Sequence, residues 1–189
     1  MKSFFNVILV IIVAGLIYLI ISAIMDPINF NRAKNVRDFK VEQSLINIKK
    51  AQIEYSKQHG GEYCSNWSEL ANFLKRGKLP AIRCKDDKCD TTWVSILDSI
   101  FPKGFNADSM KYVPFGRGII FELSTRTDTT QRGYKNYLFQ AQTPYQVYLR
   151  GLDNHELTEL INIQTKLKKY SGLKIGDIEQ PNNNAGNWE

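Results

Sequence analysis

The sequence predicts an α+β protein: an N-terminal transmembrane helix, then an amphipathic helix packed on a small antiparallel sheet. Three observations carry that prediction. An apolar run opens the chain from Phe4 to Met25, apolar residues recur at helical steps from Val36 to His59, and period-two alternation takes over after Lys111. Helices first, strands next and a helix last is the order of an α+β domain, not of a doubly wound sheet.

The opening run is interrupted only by Asn6, Tyr18 and Ser22. It is about the ~20 residues that a helix needs to cross a bilayer core, where each backbone N–H and C=O must pair within the segment. A cleaved signal peptide would have a shorter apolar core and a small-x-small site. Ile21-Ser22-Ala23-Ile24-Met25-Asp26 provides no such site. The expectation is a retained anchor, residues 1–26, with the lipid bilayer as its first partner. Orientation receives two opposed signals. Lys2 stands before the segment and Arg32, Lys34, Arg37 and Lys40 lie after it, which by the positive-inside tendency keeps the head cytoplasmic. The very short leading tail is the layout of a signal anchor that exports the chain behind it. Export to the periplasm, from a single-pass anchor in the inner membrane, is the expectation taken forward.

Pro27 in Asp26-Pro27-Ile28-Asn29 predicts a break and a neck over residues 27–35. A soluble domain occupies 36–178. Its first helix has Phe39, Val41, Leu45, Ile46, Ile48, Ile53 and Tyr55 as the apolar set and ends at His59-Gly60-Gly61. Asn66 with Glu69 three residues on reads as a capping box opening a second helix, with Trp67, Leu70, Phe73 and Leu74 as its stripe and Gly77 and Pro80 as its end. Residues 83–92 read as a polar loop, and Trp93–Phe101 fits neither period. Lys111–Phe115 and Gly118–Ser124 flank Gly116-Arg117, which predicts a tight type II′ hairpin. Tyr137, Phe139, Ala141, Tyr145, Val147 and Leu149 share one parity, as in a half-buried strand, with Pro144 marking a turn, bulge or edge. A final helix over 154–170 buries Leu157, Leu160, Ile161, Ile163 and Leu167, and Leu173–Ile178 adds a short strand. The tail, 179–189, is polar, with Trp188 as its one anchor.

A net charge of +6 and a pI near 9.2 invite nucleic acid or anionic lipid as a partner. The basic residues are scattered among acidic ones and no nucleic-acid-binding module accompanies them, so no nucleic-acid partner is expected. Cys84 and Cys89 enclose Lys85-Asp86-Asp87-Lys88. That spacing allows a disulfide closing a polar loop, two free thiols, or half of a zinc knuckle lacking its second pair. Cys64 is left over, either a buried thiol or a partner for one of the others. His59 and His155 carry no local catalytic signature. Asp153 with Glu156 reads as a helix N-terminus, and the Asp86-Asp87 pair as a solvated loop. Gly116-Arg117-Gly118 lacks the adjoining helix that would bind an anion. No catalytic residue, cofactor or metal site is expected. The aromatics Tyr112, Phe115, Phe121, Tyr137, Phe139, Tyr145 and Tyr148 are read as core, with a glycan platform as the competing role.

Ala51-Gln52-Ile53-Glu54-Tyr55, Gly60-Gly61-Glu62-Tyr63, Trp67-Ser68-Glu69-Leu70 and Leu79-Pro80 stand where a long helix gives way to a head. In layout up to Pro80 the chain resembles type IV pilins and pseudopilins, whose membrane helix continues into an amphipathic helix against a small antiparallel sheet. It departs from them twice: Lys2-Ser3-Phe4-Phe5 has no glycine before the phenylalanine, and Phe4–Met25 has no acid. The resemblance therefore implies a shape and not prepilin cleavage. Across its full length, including Phe101-Pro102-Lys103-Gly104-Phe105 and the ending from Asn182 to Glu189, the chain is similar to a family of uncharacterised membrane-anchored envelope proteins of Gram-negative bacteria. The resulting expectation is a non-catalytic structural or interaction subunit of an envelope assembly. It would pair with envelope proteins or further copies of itself through the membrane segment and the tail near Trp188. A tethered ligand-binding or sensing module is the alternative, and a hydrolase using Cys64 or His155 a third.

Overall fold

The structure, a computed structural model, describes residues 2–85, 88–129 and 133–189; the side chains at 2, 3, 5, 81–85 and 88–90 lie outside that description. It is α+β, with a long N-terminal apolar helix and small antiparallel sheets.

Helix α1, Lys2–Gln58, runs without interruption. Its first part is long and apolar enough to cross a membrane, and its apolar side chains there are exposed. The break expected at Pro27 does not occur, and the neck is helix. An interior proline deletes one backbone hydrogen bond and crowds the carbonyl four residues back, at about 3 kcal/mol. Contacts on both sides offset this. Ser22 donates its hydroxyl to Asp26 at 2.7 Å, while Phe30, beyond the proline, is already buried in the core of the head.

Beyond the neck, α1 buries Val41, Leu45, Ile48, Ala51, Gln52 and Tyr55, one face at three- and four-residue steps. The expected face is right in phase except at its start, since Phe39 is 56 % exposed. The helix stops at Gly60 and Gly61, both with positive φ, where Gly61 N–H returns to Ser56 O. Asn66 then caps α2, Trp67–Arg76, accepting from the N–H groups of Ser68 and Glu69. The Glu69 carboxylate accepts the Tyr55 hydroxyl at 2.5 Å, which ties α2 to α1.

Residues expected as a polar loop form a hairpin instead: β1, Lys78–Lys85, pairs antiparallel with β2, Lys88–Ser95. Its middle, from Arg83 to Thr92, is mostly polar, so no sustained apolar alternation announces it. Pro80 sits inside β1, whose other edge has no strand beside it among the described residues. The unassigned stretch resolves into the end of β2 and a short helix α3, Ile96–Ile100.

The hairpin expected around Gly116-Arg117 is not formed. Residues 111–121 make a wider loop with one isolated bridge, Tyr112 to Ile120, and positive φ at Phe115, Arg117 and Gly118. Gly116 does not occupy a positive-φ turn position. A Cβ there would lie 2.9 Å from that of Val113, so glycine serves close approach.

The main sheet has the order β3-β4-β5, with β3 at Glu122–Thr129, β4 at Lys135–Pro144 and β5 at Gly172–Gly176. In β4 the expected Phe139 and Ala141 are buried and Tyr137 only partly so; Thr143 shares their parity and is buried, as is Leu138 of the opposite parity. The strand stops at Pro144, which opens one helical turn, α4, Tyr145–Tyr148, so Tyr145, Val147 and Leu149 are not strand. Asp153 caps α5, Asn154–Lys166. Of its expected buried face only Leu157 is fully buried; Ile163 and Leu167 are half exposed. The tail is not free. Gly176 N–H donates to Ala185 O, Asn187 N–H to Lys174 O, and Trp188 is partly buried against the core.

Candidate functional site

Lys34, Asp38 and Glu42 succeed one another at four-residue steps along one face of α1. The single turn of α4 presents Tyr145 and Tyr148, three residues apart, to that face. Asp38 is 9 % exposed and both its oxygens are engaged: Lys34 Nζ donates to Oδ2 at 2.6 Å and Tyr148 Oη–H to Oδ1 at 2.7 Å. The preceding residue, Arg37, donates to the carbonyls of Tyr148 at 2.8 Å and Arg150 at 3.0 Å, its guanidinium 5.1 Å from the Phe115 ring centroid. A buried carboxylate persists only when paired and hydrogen-bonded, and here the head supplies one partner and α1 the other.

The surroundings shift the neighbouring groups consistently. Burial, then the Asp38 carboxylate, pushes the Tyr148 phenol far above its ordinary value. Tyr145 moves up for the same two reasons, with Glu42 adding to them. Glu42 is itself raised, by burial first and Asp38 second, against the lowering effect of Lys34. Tyr170 is pushed up to about 12, by burial and then by Glu122.

Lys34, Asp38, Glu42 and Tyr145 line a cavity of about 480 Å³ between α1, the chain leaving α5 and the tail. Lys168, Lys169 and Lys174 line the same cavity as the carboxylates of α1, together with Tyr170 and Trp188. Lys174 is held by Asp177 at 2.8 Å. That volume lies within the range of small-molecule sites.

No protein-family model matches the chain, and no curated protein or solved structure matches it significantly. The site's own chemistry is the guide to its use.

Other positions stand out in the sequence. Cys64 is buried, donates to Asn66 O at 3.2 Å, and burial pushes its thiol up. Its backbone N–H and carbonyl are both taken by the Gln52 side chain, at 2.9 and 2.7 Å. His155 is exposed on the first turn of α5, its Nδ1 4.0 Å from a Glu156 oxygen. These contacts keep Cys64 and His155 in separate surroundings. His59 stacks on Tyr55 with centroids 3.8 Å apart and lies edge-on to Phe73. His155, Glu156 and Glu159 bring three ligand-type atoms within 4.8 Å of one another, on the positive end of α5, which disfavours a cation.

Cys84 and Cys89 face each other in the β1–β2 register; their side chains lie outside the described residues, as does the Asp86-Asp87 pair. Of the aromatic set, Phe121, Phe139, Tyr145 and Tyr148 are core, whereas Tyr112 and Phe115 are 45 % and 49 % exposed. Sequence reasoning misses the Asp38 cluster. The four-residue spacing of Lys34, Asp38 and Glu42 is a visible signal, but periodicity places Tyr145 on a strand, and nothing local joins it or Tyr148 to α1.

Proposed function

We propose that the chain is a membrane-tethered, non-catalytic interaction subunit of a cell-envelope assembly. The residues from Phe4 to Met25 anchor it in the inner membrane, and the head projects into the periplasm, pilin-like in form. The observation carrying this reading is the continuity of α1. One helix holds the apolar segment at one end, and at the other end the face that the sheet and α2 bury. A soluble domain hung from a flexible linker would be free to turn about its anchor. Here, helical backbone through the neck and the buried Phe30 fix the head relative to the apolar segment.

Such a rod presents partners with a surface of defined height and orientation above the bilayer, the requirement for ordered assembly. Exposed Val36 and Phe39, just past the neck, supply apolar contact area where a neighbouring helix would lie. The test is affinity purification of the full chain after gentle detergent extraction, alongside a C-terminal reporter active on one side of the membrane only. Recovery of envelope proteins or of further copies, with an external reporter, supports the reading. A clean monomer without partners, or a cytoplasmic reporter, overturns it.

A further inference from the structure

Going beyond a scaffolding role, we infer that the cavity between α1 and the end of α5 binds a small dipolar ligand, one with an ammonium group and a phosphate a few bonds apart, of the phosphoethanolamine class. Some charges around the cavity are matched by the fold and others are not. Asp38 and Lys34 satisfy each other, with Tyr148 completing the carboxylate, and Lys174 is held by Asp177. Glu42, by contrast, has no hydrogen-bond partner among the described residues. Lys168 and Lys169 make no ion pair among the described residues, although they line the same cavity as Glu42. One negative and two positive groups therefore face a shared space without closing on one another. An anion alone would satisfy the lysines and aggravate Glu42; a cation alone would do the reverse. A molecule bearing both charges matches both sets of groups.

Two further features support this. Lys168 adopts a left-handed backbone, φ 54, directly after the residue that caps α5. Lys169 N–H closes the turn on Gln164 O, so this helix ending sets both lysines at a defined place on the cavity wall. The remaining wall combines Tyr145, Tyr170 and Trp188, hydrogen-bonding and apolar surface in the mixture that small-molecule sites use to orient a ligand. Lys34 lies eight residues past Asp26, about 12 Å along a helix rising 1.5 Å per residue. The ligand chemistry has two sources there, a free phosphoethanolamine-type molecule or the headgroup of a lipid.

The test is calorimetry on the full chain, purified in a non-ionic detergent, titrated with O-phosphoethanolamine, ethanolamine and inorganic phosphate. Joining two weakly bound halves makes the second contact intramolecular, so O-phosphoethanolamine should bind at least about tenfold more tightly than either half. Glu42→Gln should reduce its affinity to that of inorganic phosphate, and a Lys168→Ala/Lys169→Ala double variant should weaken both. These side chains make no hydrogen bond within the described fold; unchanged thermal melts would confirm that the variants fold. Nanodiscs separate the sources: competition by phosphatidylethanolamine but not by phosphatidylcholine assigns the headgroup, and no competition assigns the free molecule. Absence of binding at about 10 mM, or an affinity that Glu42→Gln leaves unchanged, would overturn the inference.

Discussion

Tyr148 donates its phenolic hydrogen to Asp38 at 2.7 Å across 110 residues of chain, joining the turn after β4 to the helix that carries the apolar segment. Phenylalanine at 148 would keep the ring's packing and remove the donor, leaving a buried carboxylate oxygen without its partner. Leaving such a group unsatisfied costs about 1–3 kcal/mol. Tyr148→Phe should lower the urea midpoint of the head accordingly, read by tryptophan fluorescence. An unchanged midpoint would show that solvent reaches Asp38.

The same burial makes the head sensitive to alkali. Tyr148, Tyr145 and Tyr55 are raised with burial as the first cause, and Tyr170 is pushed up to about 12 from 10.0. A raised phenol keeps its proton longer in the folded state than in the unfolded one. Its contribution to stability is therefore complete below about pH 10 and drains away as pH climbs through the folded-state value. Melting temperature tracked by circular dichroism should be level from pH 7 to 9 and fall from pH 10 upward. Tyr170→Phe should shallow the fall. A level profile to pH 12 would contradict the burial of these phenols.

Gln52 is a fully buried amide whose oxygen and nitrogen take up the N–H and carbonyl of Cys64. Leucine at 52 would fill similar space and orphan both backbone groups, so Gln52→Leu should destabilise by on the order of 3 kcal/mol. Hydrogen exchange at the Cys64 amide should speed up in parallel. Leu45→Ala, a cavity variant on the same helix face, would cost a comparable amount without that local exchange signature.

Thr143 presents the opposite case. Its hydroxyl is buried in β4 and has no hydrogen-bond partner among the described residues. Valine is close to its shape and carries no polar atom, so Thr143→Val should raise stability by about 1 kcal/mol. A destabilised variant would reveal a water serving the hydroxyl.

How much of the fold is legible in sequence depends on how far each interaction reaches along the chain. The apolar run, the Asn66 and Asp153 caps and the odd parity of β4 are local patterns, visible within one window. The β1–β2 hairpin reads as loop because its middle, from Arg83 to Thr92, is mostly polar and leaves no period-two apolar alternation, while the pairing itself is a backbone ladder that periodicity does not report. Pro27 reads as a stop because its cost is local, whereas its compensation, Phe30 against the head, is tertiary. The tail looks free for the same reason: its hydrogen bonds go to β5. The cavity is out of reach of any local pattern because α1, α5 and the C-terminus meet only once folded.

If the apolar part of α1 is seated in a bilayer as proposed, the unbroken passage of the helix through Pro27 would make the chain a lever pivoting at the membrane surface. From Pro27 to Gln58 the arm spans about 47 Å at 1.5 Å per residue. A change of about 10° in the tilt of the embedded segment, well inside the spread that bilayers of different thickness impose, would swing the far end by about 8 Å. A thickness change too small to alter any contact inside the head would thus register as a displacement wider than a helix radius.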